Sequence, residues 1–303
     1  MDSTRHRGGK GLDNYYVMQI INGLAQGSIY ALMAIGYSVV VGVVGLVTFT
    51  HGEVIMLGAY AAYYTFTFVG DHLILGILAS FTASWLIGVC VYKVCYEKFF
   101  DSPRHIPLIC TIGFSMLLKN LAQIMFGPNM KSMPQPIALK FINIFGVRIN
   151  TIQVMIFATV LVLSLCLYVL NNKTKWGIQF KAVSQDRKAA ALMGINVNRT
   201  TLIGNSIGCS LGGVAGMLLS IYYQSLVPTM GGVLGLKAFS STVLGGLTEA
   251  PASALGGLLI GLTENMGISV LSNSYRDVFA FVFLVLVLTI RPQGFSKKVG
   301  GRP

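Results

Sequence analysis

GLAQGSIYALMAIGYSVVVGVVGLVTFTHGEVIMLGAY, residues 23–60, carries a single formal charge, Glu53, and a single histidine, His51. A helix needs roughly 20 apolar residues to cross the hydrocarbon of a bilayer, so the stretch reads as successive membrane helices. The expected bounds are 15–34, 36–49 and 54–70. Runs this long are helices and not barrel strands, because strands are shorter and alternate polar with apolar residues.

Similar runs recur along the chain. Further helices are expected at 73–96, 106–126, 148–170, 200–223, 230–247, 253–271 and 275–291. The 303 residues are 54% hydrophobic and 11% charged, against about 25% charged in soluble domains. The fold class is all-α, a polytopic transmembrane bundle of about 8–10 helices with no large soluble domain. A tail at 1–14 and a second at 293–303 flank a membrane domain at 15–292. The basic start with Arg5, Arg7 and Lys10 has the look of a signal peptide, but the apolar run is too long and lacks a small-residue cleavage site. It is read as a retained first helix.

The charges divide by side. With the N-terminus inside, sixteen basic residues face the cytoplasm: Arg5, Arg7, Lys10; Lys93, Lys98, Arg104; Lys173, Lys175, Lys181, Arg187, Lys188, Arg199; Arg291, Lys297, Lys298, Arg302. The outer segment 127–148 holds three, Lys131, Lys140 and Arg148. That bias places both termini in the cytoplasm. The net charge of +12 then serves topology and anionic headgroups, not nucleic acid. Cys90, Cys95, Cys110, Cys166 and Cys209 have no metal-ligand spacing and read as small buried hydrophobes.

Two segments look like broken helices at corresponding places of two related halves, VTFTHGEVIMLGAYAA and LGLKAFSSTVLGGLTEAPASALGG. Such breaks point to a transport site. His51, Gly52 and Glu53 in the first, with Lys237 in the second and Glu264 beyond it, are candidates for the path, because an ionisable group in lipid costs a few kcal/mol and is functional by default. The alternatives are a structural break at His51–Glu53, snorkelling of Lys237, and interhelical hydrogen bonding by Glu264. The other histidines, His6, His72 and His105, share no ligand spacing with His51, so no metal site is expected. Lys119, Asn120 and Gln123 are expected to pair with neighbouring helices, and Arg276 and Asp277 to anchor an outer helix start or touch a partner. Gly208, Gly212 and Gly216 line one helix face for close packing. No phosphate-binding loop pattern occurs.

KTKWGIQFKAVSQDRKAAALMGINVNR, residues 173–199, is the longest internal polar stretch. It contains a short helix stopped at Gly194, which is either an interfacial amphipathic segment or a docking element for a cytoplasmic partner. KAVSQDRKAAALMGI resembles the cytoplasmic coupling loop of permeases of branched-chain amino acid ABC importers, the LivH-like proteins. The resemblance runs through residues 23–60, the coupling loop at 171–199, LKAFSSTVLGGLTEAPASALGGLLIGLTEN and the ending LVLTIRPQGF. Lys181 stands where an arginine is usual, and the first 14 residues match nothing. The resemblance implies an inner-membrane permease subunit that does no chemistry. It would pair with a second, LivM-like permease, two LivG/LivF-like ATPases that hold ATP and Mg, and an extracytoplasmic amino-acid-binding protein. It also implies that Lys181, Ala182, Gln185, Asp186, Arg187, Ala189 and Gly194 form the surface gripped by an ATPase. A permease for urea and short amides is the nearest alternative, and an ion-coupled secondary transporter relying on Glu53 and Glu264 the alternative of another class.

Overall fold

The computed structural model describes residues 5–99, 102–103, 105–137, 140–144, 147–270, 272 and 275–290. The C-terminal tail expected at 293–303, with Lys297, Lys298 and Arg302, lies outside them, as do Arg104 and Arg291. Helix α1 (Arg5–Val44) is one continuous rod, where two helices were expected. From Val17 it runs for 28 mostly apolar residues, almost wholly buried beyond its first turns. The reason lies at Gly36, near the expected break. A Cβ there would come 2.6 Å from the Gly208 carbonyl oxygen. Gly36 is therefore a notch through which another backbone passes, not a turn, and the helix continues because nothing removes its hydrogen bonds.

One helix in place of two sets the two ends of α1 at opposite ends of the bundle. At one end of α1, Asn22 Oδ1 accepts from Gln153 Nε2 at 2.6 Å, next to the segment expected outside. At the other end, the Arg187 guanidinium lies against Gly45, beside the basic 173–199 stretch. Helix α1 thus runs from the end of the bundle that holds the start of α5 to the end that holds the basic 173–199 stretch.

Past Gly45, which has φ +71, the chain turns back into the membrane. Tyr37 fixes this return: its hydroxyl donates to the Thr48 carbonyl at 2.9 Å and accepts from the Thr48 amide at 3.3 Å. Helix α2 (His51–Phe68) therefore starts at the depth of Tyr37, about 10 Å along α1 from its cytoplasmic end. Helix α3 (Leu73–Val91) returns inward and continues through a π turn (Tyr92–Tyr96) and a 3-10 turn (Glu97–Phe99). Helix α4 (His105–Phe126) crosses outward.

Outside, strand β1 (Lys131–Ser132) is followed by the β2 (Phe141–Ile144) and β3 (Val147–Asn150) hairpin. Asn150 then caps α5 (Thr151–Lys173) through a reciprocal bond with Gln153, satisfying amides that the helix cannot. Two short cytoplasmic helices follow, α6 (Lys175–Gln185) and α7 (Arg187–Leu192), and α8 (Val197–Tyr223) crosses outward. Strand β4 (Ser225–Leu226) pairs antiparallel with β1, Lys131 opposite Leu226. Helices α9 (Met230–Gly245) and α10 (Ala250–Val270) meet at a bend of 119°, which Gly246 makes possible with φ +114. Helix α11 (Arg276–Ile290) runs inward from beside Tyr223.

The core is the packing of α1 against α8, α9 and α10, with α2 seated on α8 and α9. Gly208 meets Gly36 and Val40, while Gly212 and Gly216 meet His51 and Ile55. The expected small-residue face therefore serves two helices at once. Without a hydrophobic drive between helices in lipid, such close backbone contact supplies the attraction. The cysteine expectation holds for Cys95 and Cys209 only. Cys90 and Cys166 are exposed and Cys110 is half-buried, because apolar helix faces turned to lipid need no cover.

Candidate functional site

The break before α2 and the bent pair α9–α10 meet in the middle of the bundle. Gly52 packs against Gly231 and Gly235, so the first turns of α2 and α9 touch backbone to backbone. His51 is 1% exposed and edge-on to the Tyr37 ring at 5.2 Å. Glu53 is equally buried, in the first turn of its own helix and against Gly231 in the first turn of α9. Helix N-termini carry partial positive charge, and the carboxylate stands beside two of them. Lys119 of α4 also acts on it electrostatically. Asn120, expected to pair with a neighbouring helix, instead donates to the Met116 carbonyl of its own helix at 2.8 Å.

The second candidate pair lies on the opposite face of α9. Gly235 and Lys237 are two residues apart, about 200° around a helix, so Gly235 meets α2 while Lys237 points to α1, α10 and α11. Lys237 Nζ lies 2.8 Å from Glu264 Oε1, 2.7 Å from Asp277 Oδ1 and 3.2 Å from the Tyr30 hydroxyl. Arg276 Nε is 3.5 Å from the same Glu264 oxygen, and its guanidinium covers the Tyr223 ring at 4.8 Å. Two cations thus balance two carboxylates. A shell of amides and hydroxyls continues the network: Gln26 Nε2 donates to Tyr30, and Asn265 Nδ2 to Gln26 Oε1. The chain thus brings Lys237 and Glu264 together, and leaves Glu53 on the other side of α9. Arg276 and Asp277 complete the quartet, which the sequence treated as interfacial anchors. Their only signal was two adjacent opposite charges at the start of an apolar run.

On the cytoplasmic face, Asp186 separates α6 from α7 and caps the latter, accepting from the amides of Lys188 and Ala189. Lys181 donates to Asn172 Oδ1 at 2.9 Å. Gly194 ends the segment with φ +81. Phe180, Val183 and Ala190 are buried and hold the two helices to the bundle, while Lys181, Gln185, Asp186 and Ala189 are exposed. Leu192 and Met193 are 89% and 83% exposed. Helix α7 ends at Leu192, too soon to bury it. Two bare apolar side chains on a water-facing, otherwise basic surface are costly unless covered by a partner.

A model of the family described as branched-chain amino acid transport system / permease component matches residues 19–288. The chain is 36% identical to the high-affinity branched-chain amino acid transport system permease protein BraD of Pseudomonas aeruginosa, over 95% of this chain and 97% of the relative. It is 34% identical to the LivH protein of the same description from Salmonella typhimurium, and 33% identical to that of Escherichia coli, each over 95% of this chain and 96% of the relative. No solved structure matches.

Proposed function

The chain belongs to the family of permease components of branched-chain amino acid transport systems, and from that premise we propose that it is a membrane subunit of an ATP-driven importer of these or related amino acids. As a permease component it carries no catalytic step of its own. The multi-pass helical bundle places it in the membrane, and an inner bacterial membrane suits the relatives it resembles. Residues 15–292 form the permease domain, with a coupling segment at 171–199.

The observation that supports this reading most is the pairing of two features along one axis. Half-helices touch at depth, at Gly52 and Gly231, and a cytoplasmic ledge carries bare Leu192 and Met193. The ledge, with Lys181, Ala182, Gln185, Asp186, Arg187, Ala189 and Gly194, is the docking surface for an ATPase. Arg187 reaches from the ledge to Gly45, the first residue of the re-entrant turn, so a push on α7 is delivered to the segment that leads into α2. His51, Gly52 and Glu53 lie at the end of that lever and are path residues. Lys237 and Glu264 belong to the outer part of the path. A second permease subunit, two ATPases and an extracytoplasmic binding protein complete the machine.

The test is uptake of radiolabelled leucine into proteoliposomes holding the assembled complex, with ATP inside and binding protein outside. ATP-dependent entry that urea does not inhibit is expected, and Leu192→Asp with Met193→Asp is expected to lower it about tenfold or more by weakening ATPase attachment. Uptake by this chain alone, driven by an ion gradient, would overturn the importer reading.

A further inference from the structure

A cavity of about 340 Å³ opens on the outer side between the end of α8 and the starts of α9 and α11. Its walls are of two kinds. Leu219, Val227, Val233 and Leu234 give an aliphatic side, while Ser220, Lys237, Arg276 and Asp277 are on a polar one. The polar side has unmet capacity. Ser220 is 2% exposed and its hydroxyl has no hydrogen-bond partner among the described residues; the buried Arg276 Nε makes no hydrogen bond, its Glu264 contact being an ion pair at 3.5 Å. Asp277 uses Oδ1 on Lys237 and is half exposed. Lys237, in contrast, has three donors and three neighbours: Glu264, Asp277 and Tyr30.

A buried donor left unmade costs about 1–3 kcal/mol, so unpaired groups around a space of this size mark a place built for a ligand. The ligand must bring an anion for a guanidinium, a cation for a carboxylate within a few ångströms of it, and an apolar body. We propose that this cavity receives a free amino acid as its zwitterion, with the α-carboxylate on Arg276, the α-ammonium between Asp277 and Ser220, and an aliphatic side chain against Leu219, Val227, Val233 and Leu234. The proposal rests on the importer reading and adds to it the place where cargo is first held. Glu264, which does not line the cavity, is a positioning residue for Arg276, and Lys237, which lines it, holds Asp277 in place. A neutral ligand such as urea meets neither charge and gains nothing there.

The test measures equilibrium binding of leucine to the complex of permease and ATPase subunits in nanodiscs, with binding protein left out so that its own affinity does not intervene. Leucinol, which lacks the carboxylate, and 4-methylpentanoate, which lacks the ammonium, are the competitors. Wild type is expected to prefer leucine over both. Arg276→Gln is expected to raise the leucine Kd about tenfold, or 1.4 kcal/mol, and to erase the preference over leucinol, with partial rescue by Arg276→Lys. Asp277→Asn is expected to erase the preference over 4-methylpentanoate. Ser220→Ala, a small change, keeps the test open should a charge variant fail to assemble, and is expected to weaken leucine about threefold. Unchanged Kd and unchanged preference in Ser220→Ala and in whichever charge variants assemble would overturn the site. ATP-driven leucine uptake by the wild-type complex, measured alongside, separates the two readings. If uptake is present while the variants bind as wild type, the site falls alone; if wild type imports no leucine, the importer reading falls and the site with it.

Discussion

Two places where this chain buries carboxylates between helices solve the problem differently. At the start of α2, Glu53 is a lone buried carboxylate whose Oε2 has no hydrogen-bond partner among the described residues; two helix N-termini and a more distant Lys119 support it. Between α9, α10 and α11, Lys237, Arg276, Glu264 and Asp277 neutralise one another at 2.7–3.5 Å. The first group is held by diffuse partial charge that changes little when a proton or a neighbour shifts. The second is held by short contacts among three helices and fails as a unit when one member is lost. A lone charge in a soft field suits a segment that moves, and a closed quartet suits one that must not.

That contrast breaks most visibly if Glu264 is removed. Glu264→Gln leaves Lys237 and Arg276 over-supplied with positive charge in a buried setting, and a loss of about 3–5 kcal/mol is expected. Lys237→Met combined with Glu264→Gln should recover part of it, read as thermal unfolding of the purified protein in detergent. Equal losses in single and double variants would mean that the quartet is not a coupled unit.

A smaller effect is expected where α2 meets α9. Gly52→Ala must force the two backbones apart, since the added carbon meets Gly231 and Gly235, and a cost of about 1–3 kcal/mol follows. Gly232→Ala, one residue from Gly231 but facing open space, should be neutral or slightly stabilising. Similar melting of both variants would deny that the half-helices are locked by contact at Gly52.

Smallest in stability is Glu53→Gln. With no short partner to lose, it should shift stability by less than about 1 kcal/mol, yet lower leucine uptake if the charge is used in the path. Wild-type uptake at normal expression would return Glu53 to a purely structural role and erase the comparison's functional half.

Composition made the membrane class, the all-α fold and most helix positions legible, because the cost of an unpaired backbone group in lipid leaves few other solutions. The 173–199 ledge was legible too, since a long polar stretch between apolar runs has nowhere to go but into water. The same reading failed at Gly36. A glycine in an apolar run is equally compatible with a turn and with a close helix crossing, and only the partner decides; Gly208 was 172 residues away. Arg276 and Asp277 escaped for a related reason, since ion pairing across three helices leaves no local spacing to read.

The sequence by itself determined that the chain lives in the membrane, how much of it does so, and which residues face water on the cytoplasmic ledge; hydropathy and charge act locally and need no partner. Only the tertiary structure decided that α1 is a single crossing, that the chain dips back to start α2 at depth, and that four charges scattered from 237 to 277 close into one neutral cluster. Those outcomes depend on what each residue meets across the bundle, and contact energies between distant segments are fixed by packing, not by the order of residues along the chain.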